Sequence, residues 1–278
     1  NKHSPGFNIA NLSYALDFKN YKNIIHKLYQ IKKKFKIQYQ GIITMGCDVP
    51  YIISKIAKEF DLQKNSLRSS LIAENKYLMK KLFTKAKIRT AKYAIIKNLK
   101  QAENFWDKNK FKSVIIKPVD NSGSKGVQLL VSKNQLKYAS KIIKNNTKKN
   151  YFIIEEFLDG PQLSTESIVY KRKIYTPGLS HREYKDIKYF LPQVLENGGT
   201  ASSKFKIFLK KINIEIKKIA NELNMDRGVI KGDFVINKNK LNVIEFTTRL
   251  SGGDFSESVA PLSNGVNYVR EAIKIAAN

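Results

Sequence analysis

The sequence predicts a mixed α+β fold: helices and strands interleaved along 278 residues, with a short α/β piece at the N-terminal side. Three observations carry this. Residues 231–249 read as two apolar strands around a polar turn, with Asp233 on the first and Glu245 on the second. Phe205, Phe208, Leu209, Ile212, Ile216, Ile219 and Leu223 follow the i, i+3, i+4 rhythm of an amphipathic helix, with Lys and Glu on the other face. At 41–60 an apolar run (Gly41 to Met45) meets a helical stretch (Val49 to Phe60), the alternation of a small unit with a parallel sheet.

The elements follow in order. Tyr21 to Phe35 has helical spacing (Ile24, Ile25, Leu28, Ile31), and Ser69 to Ala86 predicts one further helix. Ala91 to Lys97 reads as a strand and Gln101 to Lys108 as a helix, with Trp106 a packing residue. Phe111 to Pro118 and Val127 to Val131 are strands, and Lys133 to Lys144 a helix. Tyr151 to Leu158 and Gln162 to Tyr170 are strands separated by the turn Asp159-Gly160-Pro161. Lys173 to Leu179 is a third strand, and His181, Arg182 and Lys185 follow it as a charged loop.

Composition narrows the function. The 42% hydrophobic content suits a globular chain, and no apolar run is long enough to span a bilayer, so no membrane partner is expected. Cys47 is the only cysteine and there are three His, which argues against a disulfide or a Cys/His zinc site and for a reducing, cytoplasmic setting. The net charge of +28 suggests a nucleic-acid or other polyanion partner, but only seven of the 51 basic residues are Arg, the usual base-edge reader. The lysines are spread along the whole chain, and we read them as a solvated surface. The chain begins at Asn1 and stops within a helical pattern (Tyr268 to Ala277), so a piece of a longer product is expected.

The hairpin points to a metal. If Asn237 pairs with Leu241, Asp233 lies opposite Glu245, with Cβ atoms about 5 Å apart, where like charges repel. Such a pair needs a cation, and hard oxygen ligands favour Mg²⁺. Lys117 ends an apolar strand and opens the loop 118–127, where Ser122, Gly123, Ser124 and Gly126 can turn several backbone N–H groups toward one anion. It is not a Walker A loop, since no Gly-Lys-Ser/Thr precedes a helix. Glu155 and Glu156, followed by Phe157 and Leu158, end a strand at a hinge. Glu166, inside the next strand, either accepts from ribose hydroxyls or faces solvent.

The ordered set Lys76, Lys117, the 122–126 loop, Glu155 to Leu158, Glu166, Asp233, and Glu245 with Arg249-Leu-Ser-Gly-Gly resembles the ATP-grasp superfamily. The likeness is to the branch with carbamoyl-phosphate-synthase-like and biotin-carboxylase-like ligases. It implies an ATP-grasp fold of two α+β subdomains (69–148 with the phosphate flap, 149–278 with the metal site), preceded by a partial Rossmann-like domain (1–68). It also implies ATP and Mg²⁺ (or Mn²⁺) as cofactors, with Lys76, Lys117 and the flap on the phosphates. Residues 155–158 would hold adenine, Glu166 the ribose, and Asp233, Glu245 and Thr247 the metal. Thr247 stands where many relatives have Asn, which weakens a second metal site. Arg249, with Lys117, would stabilise the transferring phosphoryl group. The implied activity is ligation: a small-molecule carboxylate becomes an acyl phosphate, then an amine or other nucleophile displaces phosphate, and ADP is released. Bicarbonate activation, or ATP binding without turnover, are the alternatives. The acceptor pocket is expected around His181, Arg182, residues 196–200 and 251–253.

Overall fold

Two antiparallel sheets carry the fold in the computed structural model, which describes residues 3, 5–63, 65–201 and 203–277. The chain order is α1 (Tyr21–Phe35), α2 (Pro50–Glu59), α3 (Leu67–Glu74), α4 (Lys76–Lys85), β1 (Tyr93–Ile96), α5 (Leu99–Asn109), β2 (Val114–Pro118), β3 (Gln128–Leu130), α6 (Leu136–Asn145) and β4 (Phe152–Glu156). It continues with β5 (Gln162–Tyr170), β6 (Lys173–Glu183), β7 (Gly198–Ala201), α7 (Leu209–Glu222), β8 (Arg227–Asn237), β9 (Lys240–Thr247), α8 (Ala260–Asn264) and α9 (Tyr268–Ala277). The strand orders are β1-β4-β2-β3 and β7-β6-β5-β8-β9. Among the described residues no helix is long and apolar enough to cross a membrane.

Each sheet has its own core. Ala102 and Trp106 of α5 and Leu136, Ala139 and Ile143 of α6 bury the apolar side of the four-stranded sheet. Trp106 packs as expected, and its indole N–H donates to the Phe111 carbonyl at 2.6 Å. The five-stranded sheet is covered by α7, through Ile212, Ile216 and Ile219, and by α4, through Met79, Leu82 and Phe83. The strand β4, read from sequence as part of the second unit, belongs to the first sheet, while α4 packs on the second. The two sheets are therefore interleaved along the chain rather than split near residue 148.

Three local expectations are corrected. The helix over 69–86 breaks at Asn75, whose side chain accepts from the Tyr77 and Leu78 amides and starts a new helix at Lys76. The run 41–45 is extended but pairs only through a parallel bridge between Met45 and Leu250, so no parallel sheet forms there among the described residues. The strand begun at Lys173 continues to Glu183, so His181 and Arg182 are strand residues pointing to opposite faces.

The β8–β9 hairpin reaches the expected pairing by another route. Its turn is two residues, Lys238 and Asn239, both left-handed (φ 48° and 58°), the twist-matched geometry of a tight hairpin. Asn237 thus pairs with Lys240, not Leu241. Unbroken, this register would set Asp233 against Ile244 and turn Glu245 into the core. A bulge between Asp233 and Phe234 in the pairing absorbs one residue of β9 and restores Asp233 opposite Glu245.

A buried charge cluster ties α4 to the first sheet. Lys80 Nζ lies 3.2 Å and Lys117 Nζ 2.9 Å from the two oxygens of Glu155, with all three residues at most 5% exposed. Burial pushes the Lys80 ammonium down to about 8, against the pull of Glu155. The cost of that charge is present at pH 7 and is relieved as pH rises from about 8 to the ordinary 10.5. Burial also works against the Glu155 charge, but Lys117 and Lys80 outweigh it and hold its carboxyl below the ordinary 4.5. Its stabilisation is complete above pH 4.5 and is lost as pH falls through the folded value. Glu155→Gln should cost about 3–5 kcal/mol at pH 7, since it strands two buried ammonium groups. The gap to the wild type should narrow as pH falls below 4.5; denaturant unfolding at a series of pH values measures both.

Candidate active site

The site face of the five-stranded sheet follows from strand alternation. Phe234, Ile236, Val243 and Phe246 point into the core, so Lys231, Asp233, Val235, Glu245 and Thr247 point the other way. On β5 the matching residues are Gln162, Ser164 and Glu166, opposite Val235, Asp233 and Lys231. On β6 they are Gly178, Ser180 and Arg182.

This face and the face of the four-stranded sheet that carries Ile115, Lys117 and Glu155 enclose one cleft. Lys76, Lys80, Lys117, Ser122 to Ser124, Glu155 to Leu158, Asp233 and Glu245 all line it. So do Asn121, Gln162, Arg182 and Tyr184, which sequence reasoning did not assign to the nucleotide. Gln162 was legible in principle, since it shares the alternation of β5 with Ser164. Arg182 was not, because the end of β6 was placed too early.

Asp233 is 3% exposed and heavily partnered. Ser164 Oγ donates to its Oδ1 at 2.6 Å, Lys231 Nζ donates to its Oδ2, and Arg182 Nη1 lies 3.4 Å away. Burial opposes the charge of Asp233, but Lys231 and Arg182 prevail and hold its carboxyl below the usual range. Glu245 Oε2 lies 3.3 Å from Lys76 Nζ. Partial burial again works against the charge, and Lys76, Lys117 and Lys231 together hold the carboxyl far below the usual range. Arg182 also donates to Glu196, and despite its burial Asp233 and Glu196 raise its pKa further.

The donor set suits Mg²⁺ held with phosphate. Among the described residues no cluster of three His, Cys, Asp or Glu would bind a metal alone. Two opposed carboxylates plus phosphate oxygens is the usual Mg²⁺ arrangement. The cations now resting on those carboxylates, Lys76, Lys231 and Arg182, match an incoming polyanion. Across the cleft, the flap residues Gly123 and Ser124 both have φ near 60° and are exposed, and Gly126 has φ 78°. Lys76 Nζ donates to the Asn121 carbonyl at 2.7 Å, so the same ammonium touches the flap and Glu245.

Four predicted site residues fall outside the cleft lining. Gly126 sits at the flap base, where a Cβ would meet Asn146 and Pro118. Thr247 is one side-chain pair beyond Glu245, opposite Lys231, with its hydroxyl buried and unpartnered. Arg249 donates from Nε to Asp48 at 2.8 Å and from Nη1 to the Leu250 carbonyl at 3.0 Å, and lines a neighbouring cleft with Thr44, Ile53 and Thr248. Glu166 is wholly buried among Ser251, Ser256 and Tyr268 and does not reach a ribose in the cleft. His181 faces the core side of its strand and stacks edge-on against Phe205 (5.1 Å between ring centroids), so it does not line the acceptor pocket expected around it.

Comparison with known proteins identifies the family to which this fold belongs. Residues 74–254 match the family model for the phosphoribosylglycinamide synthetase ATP-grasp (A) domain. A tyramine–L-glutamate ligase of Methanocaldococcus jannaschii is 26% identical over 249 residues, covering 85% of this chain and 66% of that protein. An L-amino acid ligase from Bacillus licheniformis superposes with a TM-score of 0.76 at 17% identity, over 94% of this chain and 61% of that one. The biotin carboxylase domain of a Hydrogenobacter thermophilus 2-oxoglutarate carboxylase, solved with MgADP and bicarbonate, gives 0.75 at 13% identity, over 100% and 62%. The chain thus spans about two thirds of the length of these relatives. The family match covers most of the chain, and with it the cleft between the two sheets: the protein belongs to the ATP-grasp superfamily of ligases, whose cofactors are ATP and Mg²⁺.

Proposed function

We propose that the chain binds Mg-ATP between its sheets and activates a small-molecule carboxylate as an acyl phosphate, which an amine then attacks, releasing ADP and phosphate. The observation that carries this reading is the opposed pair Asp233 and Glu245, ringed by Lys76, Lys117, Lys231 and Arg182. Phosphoryl transfer needs positioning and charge neutralisation more than covalent help, and this cleft is built of those parts. The similarity to a tyramine–L-glutamate ligase favours an amine over bicarbonate as the second substrate.

In this reading a partial Rossmann-like piece lies before residue 69, and two subdomains, each built on one of the interleaved sheets, grip the nucleotide. Asp233 and Glu245 would hold Mg²⁺, which would neutralise phosphate charge, with the buried Thr247 hydroxyl next along the same strand face. Lys76 and Lys117 take the phosphates, and residues 122–126 cover them. Main-chain groups of 155–158 hold adenine. Gln162, the first residue of β5 after the hinge, takes the sugar-facing position that Glu166 does not reach. Arg182 is the guanidinium beside the metal pair, while Arg249 serves the acyl group from the neighbouring cleft.

Two outcomes test this. Mg-ATP should raise the thermal midpoint of the wild type by several degrees at saturation, and Glu245→Gln should shift that response to higher Mg²⁺. ADP release, screened with L-glutamate plus tyramine, with D-alanine and with bicarbonate, should appear with one substrate set. It should fall about 10²–10³-fold in Lys76→Ala and Glu245→Gln. Lys76 is the cleaner probe than Lys117, because removing Lys117 also unbalances Glu155. Unchanged ADP release in both variants would refute the site assignment.

A further inference from the structure

Residues 184–197 form a long excursion from a hairpin. β6 ends at Glu183 and β7 begins at Gly198, and these two residues pair directly. Instead of turning at once, the chain leaves the five-stranded sheet, runs along the cleft and meets the four-stranded sheet. There the Leu129 amide donates to the Pro192 carbonyl at 2.8 Å, and Gln128 and Gln193 form an antiparallel bridge. β3 is an edge strand, so its outer side is open to such pairing. Tyr184 and Val194 of this strap line the cleft. Loops of such length that lack strands of their own are usually functional parts.

The other walls of the cleft are fixed. Residues 155–158 carry the chain from one sheet to the other, and α4 is tied to the first sheet by the Lys76 amide on the Val119 carbonyl (2.8 Å) and by Lys80 on Glu155. The strap meets β3, at the edge of its sheet away from β1 and β4, where the chain enters and leaves that sheet. Its bridge falls at Gln128, just after the flap, so it also pins the base of the flap. The strap is lightly held: Tyr189, Phe190 and Leu195 stay exposed, so little apolar burial is lost on release. Its far end is tied to the metal row. Arg182 donates to Glu196 while its Nη1 lies 3.4 Å from Asp233, and the next residue, Asn197, donates to the Glu183 carbonyl at 2.9 Å. We propose that residues 184–197 are a latch: paired with β3 it closes the side of the cleft opposite the hinge, and it must release β3 for a nucleotide to enter or leave. Arg182 is shared between Asp233 and Glu196, so charge arriving at the metal row is felt by the strap. The proposal rests on the nucleotide reading above and adds a moving part to it.

The test uses the whole chain, with fluorescent N-methylanthraniloyl ADP and Mg²⁺ as the probe. Gln128→Cys and Gln193→Cys, made together with Cys47→Ser, place two thiols across the bridge, where paired residues are near enough for a disulfide. After oxidation the rates of probe association and dissociation should both fall at least about tenfold, and reduction should restore them. Unchanged rates in the cross-linked chain would overturn the latch, and so would failure of the two thiols to join. The buried Gln128 side chain donates to the Ala139 carbonyl at 3.1 Å, and its loss could prevent folding. In that event Glu196→Gln decides: it keeps the shape, removes the charge that holds Arg182, and should raise both rates about threefold. Rates equal to those of the wild type in Glu196→Gln would overturn the proposal. A wild type that does not bind the probe would instead refute the nucleotide reading.

Discussion

One extra residue in one strand sets the chemistry of this molecule. Without the bulge in β9, the tight Lys238-Asn239 turn would hold the hairpin in a register that sends Glu245 to the core side. With it, Phe246 and Val243 stay in the core while Glu245 crosses to the face of Asp233. The same shift puts Thr247 beside Lys231. The alternation of β5 and β6 then brings Ser164, Gln162 and Arg182 onto that face without further adjustment.

The cleft this creates is dense in charge, and its carboxylates are kept apart from one another by lysines. Asp233 has Lys231 and Arg182, Glu245 has Lys76, and Glu155 has Lys80 and Lys117. These pairs differ in kind. The Glu155 cluster is deeply buried and joins α4 to β2 and β4, so it fixes one wall of the cleft while Lys117 still lines it. The pairs on Asp233 and Glu245 lie where the cleft is open to an entering anion, and they can be exchanged for phosphate. Buried ion pairs rarely stabilise a fold more than apolar packing would, and their retention here fits a site that must hold charge.

Much of this was legible in the sequence. The amphipathic pattern of 205–223 and the two apolar strands of the hairpin gave the helix and the strands, because both have strong periodicity. The Asp233–Glu245 pairing was reached with the wrong turn and no bulge, two errors that cancel; nothing in the local sequence marks an extra residue in a strand. The break at Asn75 was signalled only by a capping residue inside an otherwise continuous pattern. Glu166 was misplaced for a tertiary reason. Its strand face was right, but α9 and the segment after β9 close over that end of the sheet, and only the folded chain shows it. Lys80 reads as one more surface lysine until β4 brings Glu155 beside it.

The break at Asn75 reaches beyond the helix it starts. A helix N-terminus often receives anions through its free amides and its dipole. Here that end is already occupied: Asn75 takes the Tyr77 and Leu78 amides, and the Lys76 amide donates to the Val119 carbonyl. An anion near α4 is therefore met by the Lys76 side chain, a flexible tether carrying a whole charge, and not by a fixed array of partial charges. The polypeptide carries its own counter-ion, which rests on Glu245 or on the flap carbonyl of Asn121 and can be handed from one to the other as the anionic load of the cleft changes.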